Sequence, residues 1–254
     1  MAPDQRTAAE GSSLDDLFRQ VLGGLRGGRV LDLATGQGSF AGLLVEALQG
    51  YDQIVGVDSY ARAIEAARAA IRDPKVHFLQ MDAGHLGFPG ACFDTVTLSA
   101  SLHHLDSIPP VLAEAVRVLG PGGCLLLAEM HNEGRTEPQG TAVALHHWFG
   151  AVDTARGMVH NPTLSRGALL GVVEALGLDL AVYDWPGGGG DPGGDPLDRE
   201  VLAMYDGVID RYQDRARETD AYEALRAQGE ALRRRLHEVG VQREPVVIVV
   251  GMKG

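Results

Sequence analysis

The chain has 254 residues, of which 45% are hydrophobic, enough for one sizeable core with an added subdomain. Its formal net charge of −12 argues against sequence-independent binding of nucleic acid, because such binding needs clustered cations. Two cysteines are too few for a disulfide framework. No apolar run could serve as a signal peptide or as a membrane span. We therefore expect a cytoplasmic protein with no membrane partner.

The N-terminal part, residues 1–27, predicts a helical cap. Residues 1–11 are polar and are expected to be loose. Ser12 or Ser13 can then cap a helix whose apolar positions recur at helical spacing, and a run of glycines ends it.

From residue 28 onward, short apolar strands alternate with helical patterns. Strands are predicted at 30–34, 54–57, 76–79, 93–99 and 124–128, and helices at 39–48, 60–71 and 108–119. This rhythm predicts an α/β fold with a doubly wound, mostly parallel seven-stranded sheet. In such sheets ligands bind beyond the carboxyl ends of the strands, where the strand order reverses.

The second half of the chain interrupts that rhythm twice. Residues 131–161 form a histidine-rich insert with a helical middle, and a helix and a strand at 178–183 follow it. The stretch at 185–196 is rich in glycine and proline and predicts a loop. Two amphipathic helices, read as an antiparallel pair, then precede a last strand at 245–251, which we expect to be antiparallel to the sheet.

These patterns divide the chain into a core at 28–185, a loop and helical pair at 186–244, and a return to the core at 245–254. We expect the helical insertions to cover the carboxyl edge of the sheet. The N-terminal helix and the pair at 186–244 are interpreted as a lid over an acceptor pocket. The alternative is that the pair forms the arm of a homodimer, and the sequence does not separate these two interpretations.

The stretch VLDLATGQG, Val30–Gly38, runs from a buried strand into a glycine turn, and Gly36–Ala41 satisfies G-x-G-x-x-A. Asp32 lies inside the strand, where a carboxylate would repel a pyrophosphate and attract an ammonium or a sulfonium. Asp58 closes the next strand and can accept hydrogen bonds from both hydroxyls of a ribose, which NAD and adenosyl ligands share. The turn therefore indicates a nucleoside ligand, and Asp32 favours a cationic one.

The block FDTVTLSASLHHLDSIPPVLAEAVRVLGPGG, Phe93–Gly123, completes a pattern with VLDLATGQG, VGVDSY and MDA. With it the chain resembles the class I, seven-stranded S-adenosylmethionine-dependent methyltransferases, in particular their small-molecule branch. The resemblance covers roughly residues 28–130 and the sheet-closing strands. It implies S-adenosylmethionine as cofactor, S-adenosylhomocysteine as product and a small-molecule acceptor.

The resemblance also assigns roles to residues of this chain. The methionine moiety would be held by Asp32 and the backbone around Ala34, Gly36 and Gly38; the ribose by Asp58; the adenine by Ser59, Asp82 and Ala83; and the sulfonium would lie near Ser99 and His104. The family often has glycine where this chain has Ala34, and we expect a methyl group to be tolerated there.

Histidines and one glutamate are concentrated where the family's acceptor sites lie. We expect His104, Glu129, His131 and His147 to handle the acceptor, with Trp148 and Phe149 as an apolar wall of its pocket. His146, Asp153 and His160 recur every seven residues, too far apart along one helix to share an ion, so no metal site is predicted.

Two further functions stay open at this point. A nicotinamide-dependent oxidoreductase would use the same glycine turn, although Asp32 opposes it. A non-catalytic adenosyl-binding protein could use the same fold. Nucleic acid is disfavoured as the acceptor, because SASLHH, Ser99–His104, stands where amino methyltransferases of nucleic acids carry an [NDS]-P-P-[YF] box.

Overall fold

A computed structural model describes residues 4–9, 11–133, 136–187 and 194–254. Within these residues the strands are β1 Asp4–Thr7, β2 Gly28–Leu33, β3 Tyr51–Asp58, β4 Val76–Gln80, β5 Phe93–Ser99, β6 Leu119–Met130, β7 Asp179–Trp185 and β8 Val246–Met252. The α-helices are α1 Leu14–Leu22, α2 Ser39–Ala47, α3 Ala61–Ala70, α4 Ile108–Val118, α5 Glu137–Ala155, α6 Arg166–Glu174, α7 Arg199–Ala216 and α8 Tyr222–Val239. A search of the described helices finds none that is both long and apolar enough to cross a bilayer.

The strands form one sheet in the order β1-β7-β8-β6-β5-β2-β3-β4. Strand β8 is antiparallel to both of its neighbours, and the other pairings are parallel. The predicted doubly wound sheet with an antiparallel last strand is confirmed. Successive strands β2, β3 and β4 lead outward to one edge, and β5 returns to the other side of β2, so the order reverses between β2 and β5.

The first strand, β1, was not expected. Asp4 to Thr7 pair in parallel with Ala181 to Asp184 of β7, and the prediction that residues 1–11 are loose is wrong for this segment. All four residues of β1 are exposed, so they lack the alternation that marks a strand in sequence. The unpaired backbone edge of β7 supplies their partners. Residues 1–3 and 10 lie outside the described residues.

Apolar side chains on both faces of the sheet explain why the strands read as continuous hydrophobic runs. Leu31 and Leu33 face a cluster completed by α4 and α6, whereas Val30 faces a cluster completed by α1, α2 and α3. Helix α1 begins where the sequence predicted it, because Ser13 and Asp16 form a reciprocal capping box. Trp185 is buried as the last residue of β7 instead of opening a loop, which is a correction.

Helices α5, α7 and α8 form a separate apolar cluster, called here the helical subdomain. Trp148 of α5 lies in this cluster and is only 3% exposed. Its indole Nε1 donates to the Leu225 carbonyl at 2.9 Å. Trp148 and Phe149 both pack in this cluster, so their predicted place in a pocket wall is wrong. Residues 188–193 of the predicted loop lie outside the described part of the chain.

Candidate active site

A cavity of about 800 Å³ lies at the reversal point, where β2, β3 and β5 end. Its lining comes from the β2–α2 turn, α2, the ends of β3 and β5, helix α1, and the end of α5 with the segment after it. Ligands of doubly wound sheets bind at this place, so the topology and the cavity agree.

Asp32 is buried beside this cavity and is held by two hydroxyl groups. Thr35 Oγ1 donates to one carboxylate oxygen at 2.6 Å, and Thr97 Oγ1 donates to the other at 2.7 Å. Burial raises the pKa of Asp32 to about 6, against the lowering effect of the two hydroxyls. The carboxylate thus joins β2 to β5 and to the turn that follows β2.

Asp58 closes the other side of the glycine turn. Its two carboxylate oxygens accept the backbone N–H of Gly36 at 3.0 Å and of Tyr60 at 2.9 Å. A carboxylate oxygen has two lone pairs, so each can still accept a further hydrogen bond from a hydroxyl group. The turn and the end of β3 are therefore fixed to each other before any ligand binds.

Several backbone conformations around the cavity are left-handed. Gly36 and Gly38 have φ of 55° and 87°, and Ala34 and Ala100 have φ of 49° and 48°. The structure accommodates the Ala34 methyl group, in a backbone region that residues with side chains adopt at a cost of about 1–2 kcal/mol. Both alanines line the cavity, directly after β2 and β5.

The charges that line the cavity are mostly negative. Five carboxylates face one guanidinium among the described lining residues: Asp15, Asp32, Glu46, Asp58 and Asp153, with Arg19. That guanidinium is already paired, since Arg19 Nη2 lies 2.8 Å from Glu46 Oε2. Oδ1 of Asp153 is buried without a hydrogen-bond partner among the described residues, although Arg215 Nη1 lies 3.9 Å away. The cavity suits a cationic ligand far better than a phosphorylated one.

Four imidazoles, called here the histidine cluster (His103, His104, His146 and His160), adjoin the cavity at His104. The ring of His103 lies 4.2 Å from that of His104 and 4.8 Å from that of His146, centroid to centroid. Desolvation and the neighbouring imidazoles lower the pKa of His104 to about 4 and that of His146 to about 3. Both rings are therefore neutral at physiological pH.

Comparison with known proteins agrees with this geometry. Residues 31–127 match the family model of a methyltransferase domain. The demethylmenaquinone methyltransferase of Thermus thermophilus is 40% identical over 103 residues, which are 40% of this chain and 46% of that protein. Residues 31–127 therefore match a methyltransferase domain, and the sheet has the Rossmann-like fold of the class I methyltransferases. The chain spans about half the length of the curated relatives it matches first.

Solved structures share the fold of the methyltransferase domain. A putative methyltransferase from Bacillus halodurans superposes with a TM-score of 0.61 at 20% identity, covering 95% of this chain and 99% of that one. The phosphoethanolamine N-methyltransferase 2 of Haemonchus contortus, solved with S-adenosyl-L-methionine, has a TM-score of 0.57 at 17% identity and covers 94% of this chain and 52% of that one.

Of the residues predicted to hold the cofactor, five line the cavity of the methyltransferase domain: Asp32, Ala34, Gly36, Asp58 and Ser99. Gly38 stands at the start of α2. Ser59, Asp82 and Ala83 follow β3 and β4 and do not line it. Asp82 is exposed and accepts the Gly84 N–H at 2.8 Å, so its predicted contact with adenine stays a prediction.

The residues predicted to handle the acceptor do not share one place. Only His104 lines the cavity. Glu129 is buried and accepts a hydrogen bond from the Leu102 N–H at 2.7 Å. His131 accepts the Glu133 N–H at its Nδ1, and His147 forms a hydrogen bond with the Thr163 hydroxyl through Nε2. In the structure Glu129, His131 and His147 therefore bind other groups of the protein. The sequence pattern did not distinguish such residues from residues that line the pocket.

The predicted spacing of His146, Asp153 and His160 applies to one continuous helix. In the structure α5 ends at Ala155 and the chain reverses through Gly157, whose φ is 82°. His160 then returns to α5, where its Nδ1 lies 3.0 Å from Asp153 Oδ2 and its Nε2 lies 3.1 Å from His146 Nε2.

Two contributors to the site were missed: Thr35 binds Asp32, and Met158 and Val159 line the cavity. The N-terminal helix was predicted as a cap, and Asp15, Phe18 and Arg19 of α1 line the cavity. A hydroxyl three residues after a strand carboxylate is a signal that could have found Thr35. The lining from α1 and α5 depends on tertiary packing. No described residue of α7 or α8 lines the cavity, and a lid or dimer role for 186–244 stays a prediction.

Proposed function

We propose that this chain is a methyltransferase that uses S-adenosylmethionine and a small-molecule acceptor. The observation that carries the proposal is the acidic cavity at the sheet reversal, with Asp32 and Asp58 on either side of the glycine turn. Its five carboxylates and single paired guanidinium disfavour a nicotinamide dinucleotide, which carries two phosphates. The name of the Thermus relative makes a quinol-type ring the first acceptor class to test.

The residues present fit the cofactor. Asp58 would accept from the ribose hydroxyls with the lone pairs that Gly36 and Tyr60 leave free, and Asp32 would face the ammonium group. When bound, the sulfonium supplies an already activated methyl group, so the protein chiefly aligns the acceptor and excludes water. His104 lines the cavity as a neutral imidazole that can accept a hydrogen bond from an acceptor hydroxyl.

The proposal is tested by calorimetry with S-adenosylhomocysteine. Asp58→Ala removes a two-point polar contact, so we expect affinity to fall by about tenfold or more. Asp52→Ala is the matched control, because Asp52 is exposed at the opposite end of the same strand. Equal affinity of the wild type and Asp58→Ala, or saturable binding of NADH in its place, would contradict the assignment. Methyl transfer to a demethylated quinol, followed by mass spectrometry, tests the acceptor class.

A further inference from the structure

Three imidazoles converge from two separate parts of the chain. His103 and His104 lie on the short 3₁₀ helix after β5, and His160 lies in the segment after α5. One ring nitrogen of each lies within 4.8 Å of the others. The ring centroids of His103 and His104 lie 5.4 and 4.4 Å from that of His160.

The Nδ1 atom of each of these rings lies within hydrogen-bonding distance of an oxygen atom. Glu129 Oε1 lies 3.2 Å from His103 Nδ1, Asp153 Oδ2 lies 3.0 Å from His160 Nδ1, and the Val159 carbonyl lies 3.4 Å from His104 Nδ1. An acceptor at Nδ1 places the proton there and leaves the lone pair on Nε2. Histidine ligands of metal ions show the same arrangement, in which a carboxylate or carbonyl orients the ring.

The position of His160 is fixed by the backbone. Its carbonyl and ring pack against Gly150 of α5, where an added Cβ would lie 3.0 Å from the carbonyl and 3.1 Å from the ring. The next residue, Asn161, donates its N–H to the His103 carbonyl at 2.7 Å. The backbone hydrogen bond from Asn161 to His103 holds the two parts of the cluster together without using the rings.

We propose that His103, His104 and His160 form a binding site for one late first-row divalent cation, of which Zn²⁺ is the test case. Imidazole nitrogen suits zinc, nickel and copper, and three histidines leave a position open for water or substrate. Zinc binds imidazole at about 2.0–2.1 Å, so the rings must turn inward modestly from their present spacing. His146, now 3.1 Å from His160 through Nε2, would give up that contact when the ion binds.

The site borders the cavity through His104, so the open position would face the acceptor. An ion there would polarise an acceptor oxygen and lower its pKa. Only this catalytic role rests on the proposed function; metal binding itself does not.

The test is calorimetry with Zn²⁺ alone, using the chelator-treated 254-residue chain without cofactor. We expect one equivalent to bind, and His104→Ala and His160→Ala each to lose at least about a hundredfold in affinity. Asp153→Ala, which removes the acceptor at His160 Nδ1, should lose about 10–100-fold. His77→Ala is the matched control, because His77 is exposed on β4, and it should bind as the wild type does.

Bound Co²⁺ should show visible d–d absorption that His104→Ala removes. His104 is exposed, so this variant keeps the test valid even if His160→Ala unfolds. Absence of saturable Zn²⁺ binding by the wild type would overturn the proposal, as would unchanged affinity in His104→Ala. Because no cofactor is present, a failure of methyl transfer cannot produce either result.

Discussion

The strand side and the helical side of the cavity are held in place by different means. On the strand side, Asp32 and Asp58 sit at the ends of adjacent parallel strands and bind to residues of the turn between them. On the helical side, Asp153 and His160 depend on how α5 packs against α7 and α8. Local hydrogen bonds therefore define one side, and packing between distant segments defines the other. We expect mutations to separate the two.

The largest expected effect is on the helical side. Trp148→Ala removes a buried indole and its hydrogen bond to Leu225, and should lower the free energy of unfolding by about 3–5 kcal/mol. Urea denaturation measures it. Met204→Ala on α7, at a residue that is 55% exposed, should stay within about 0.5 kcal/mol of the wild type. A loss below about 1 kcal/mol for Trp148→Ala would mean that the helical subdomain adds little to stability.

The second prediction concerns the strand side and pH. Burial raises the pKa of Asp32 from 3.8 to about 6, so the folded chain keeps this proton at a pH where the unfolded chain has lost it. Stability contributed by the neutral form is therefore lost as pH rises from about 4 through about 6, by on the order of 3 kcal/mol. Asp32→Asn should remove this dependence in urea denaturation across that range.

Asp94 provides a control of opposite sign. The Arg29 side chain and its backbone N–H lower the pKa of Asp94, so its contribution is present at neutral pH and is lost on acidification. Asp94→Asn should therefore lower the free energy of unfolding more at neutral pH than at acidic pH. If Asp32→Asn keeps the wild-type pH profile, Asp32 is not the group responsible.

The division between local and distant contacts also explains what the sequence could predict. The sheet, its reversal point and the places of Asp32, Gly36 and Asp58 follow from hydrophobic runs and a turn, which are short-range patterns. The strand β1 was missed because its four exposed polar residues are ordered by the edge of β7 and not by their own pattern.

The histidine cluster could not be derived in the same way. Its contacts between separate segments join residues 14 to 57 positions apart, as in His146 with His160 and His103 with His160. Their meeting depends on the end of α5 and the reversal at Gly157, and an error of a few residues in that helix boundary changes which side chains approach each other. Glu129 was likewise predicted to handle the methyl acceptor, but in the structure its carboxylate contacts the Leu102 N–H and the His103 ring.

The third prediction compares two helix glycines. A Cβ at Gly229 of α8 would lie 2.6 Å from Trp148 Cζ2, whereas one at Gly207 of α7 would meet only the end of Arg211 at 3.6 Å. Gly229→Ala should cost about 1–3 kcal/mol through overpacking. Gly207→Ala should gain up to about 1 kcal/mol from helix propensity. Thermal unfolding of the pair measures both, and equal signs would refute the packing that places α5.

The smallest expected effect tests the strand side alone. Ala34 has φ of 49°, which costs a side-chain-bearing residue about 1–2 kcal/mol, and glycine would relieve that cost. Glycine also gives the unfolded chain more freedom, about 0.5–1 kcal/mol, so Ala34→Gly should gain only about 0.5–1 kcal/mol. Ala69→Gly, in helix α3, should instead lose about 1 kcal/mol. If Ala34→Gly destabilises as much as Ala69→Gly does, the turn after β2 is not strained, and the strand side is held by its hydrogen bonds alone.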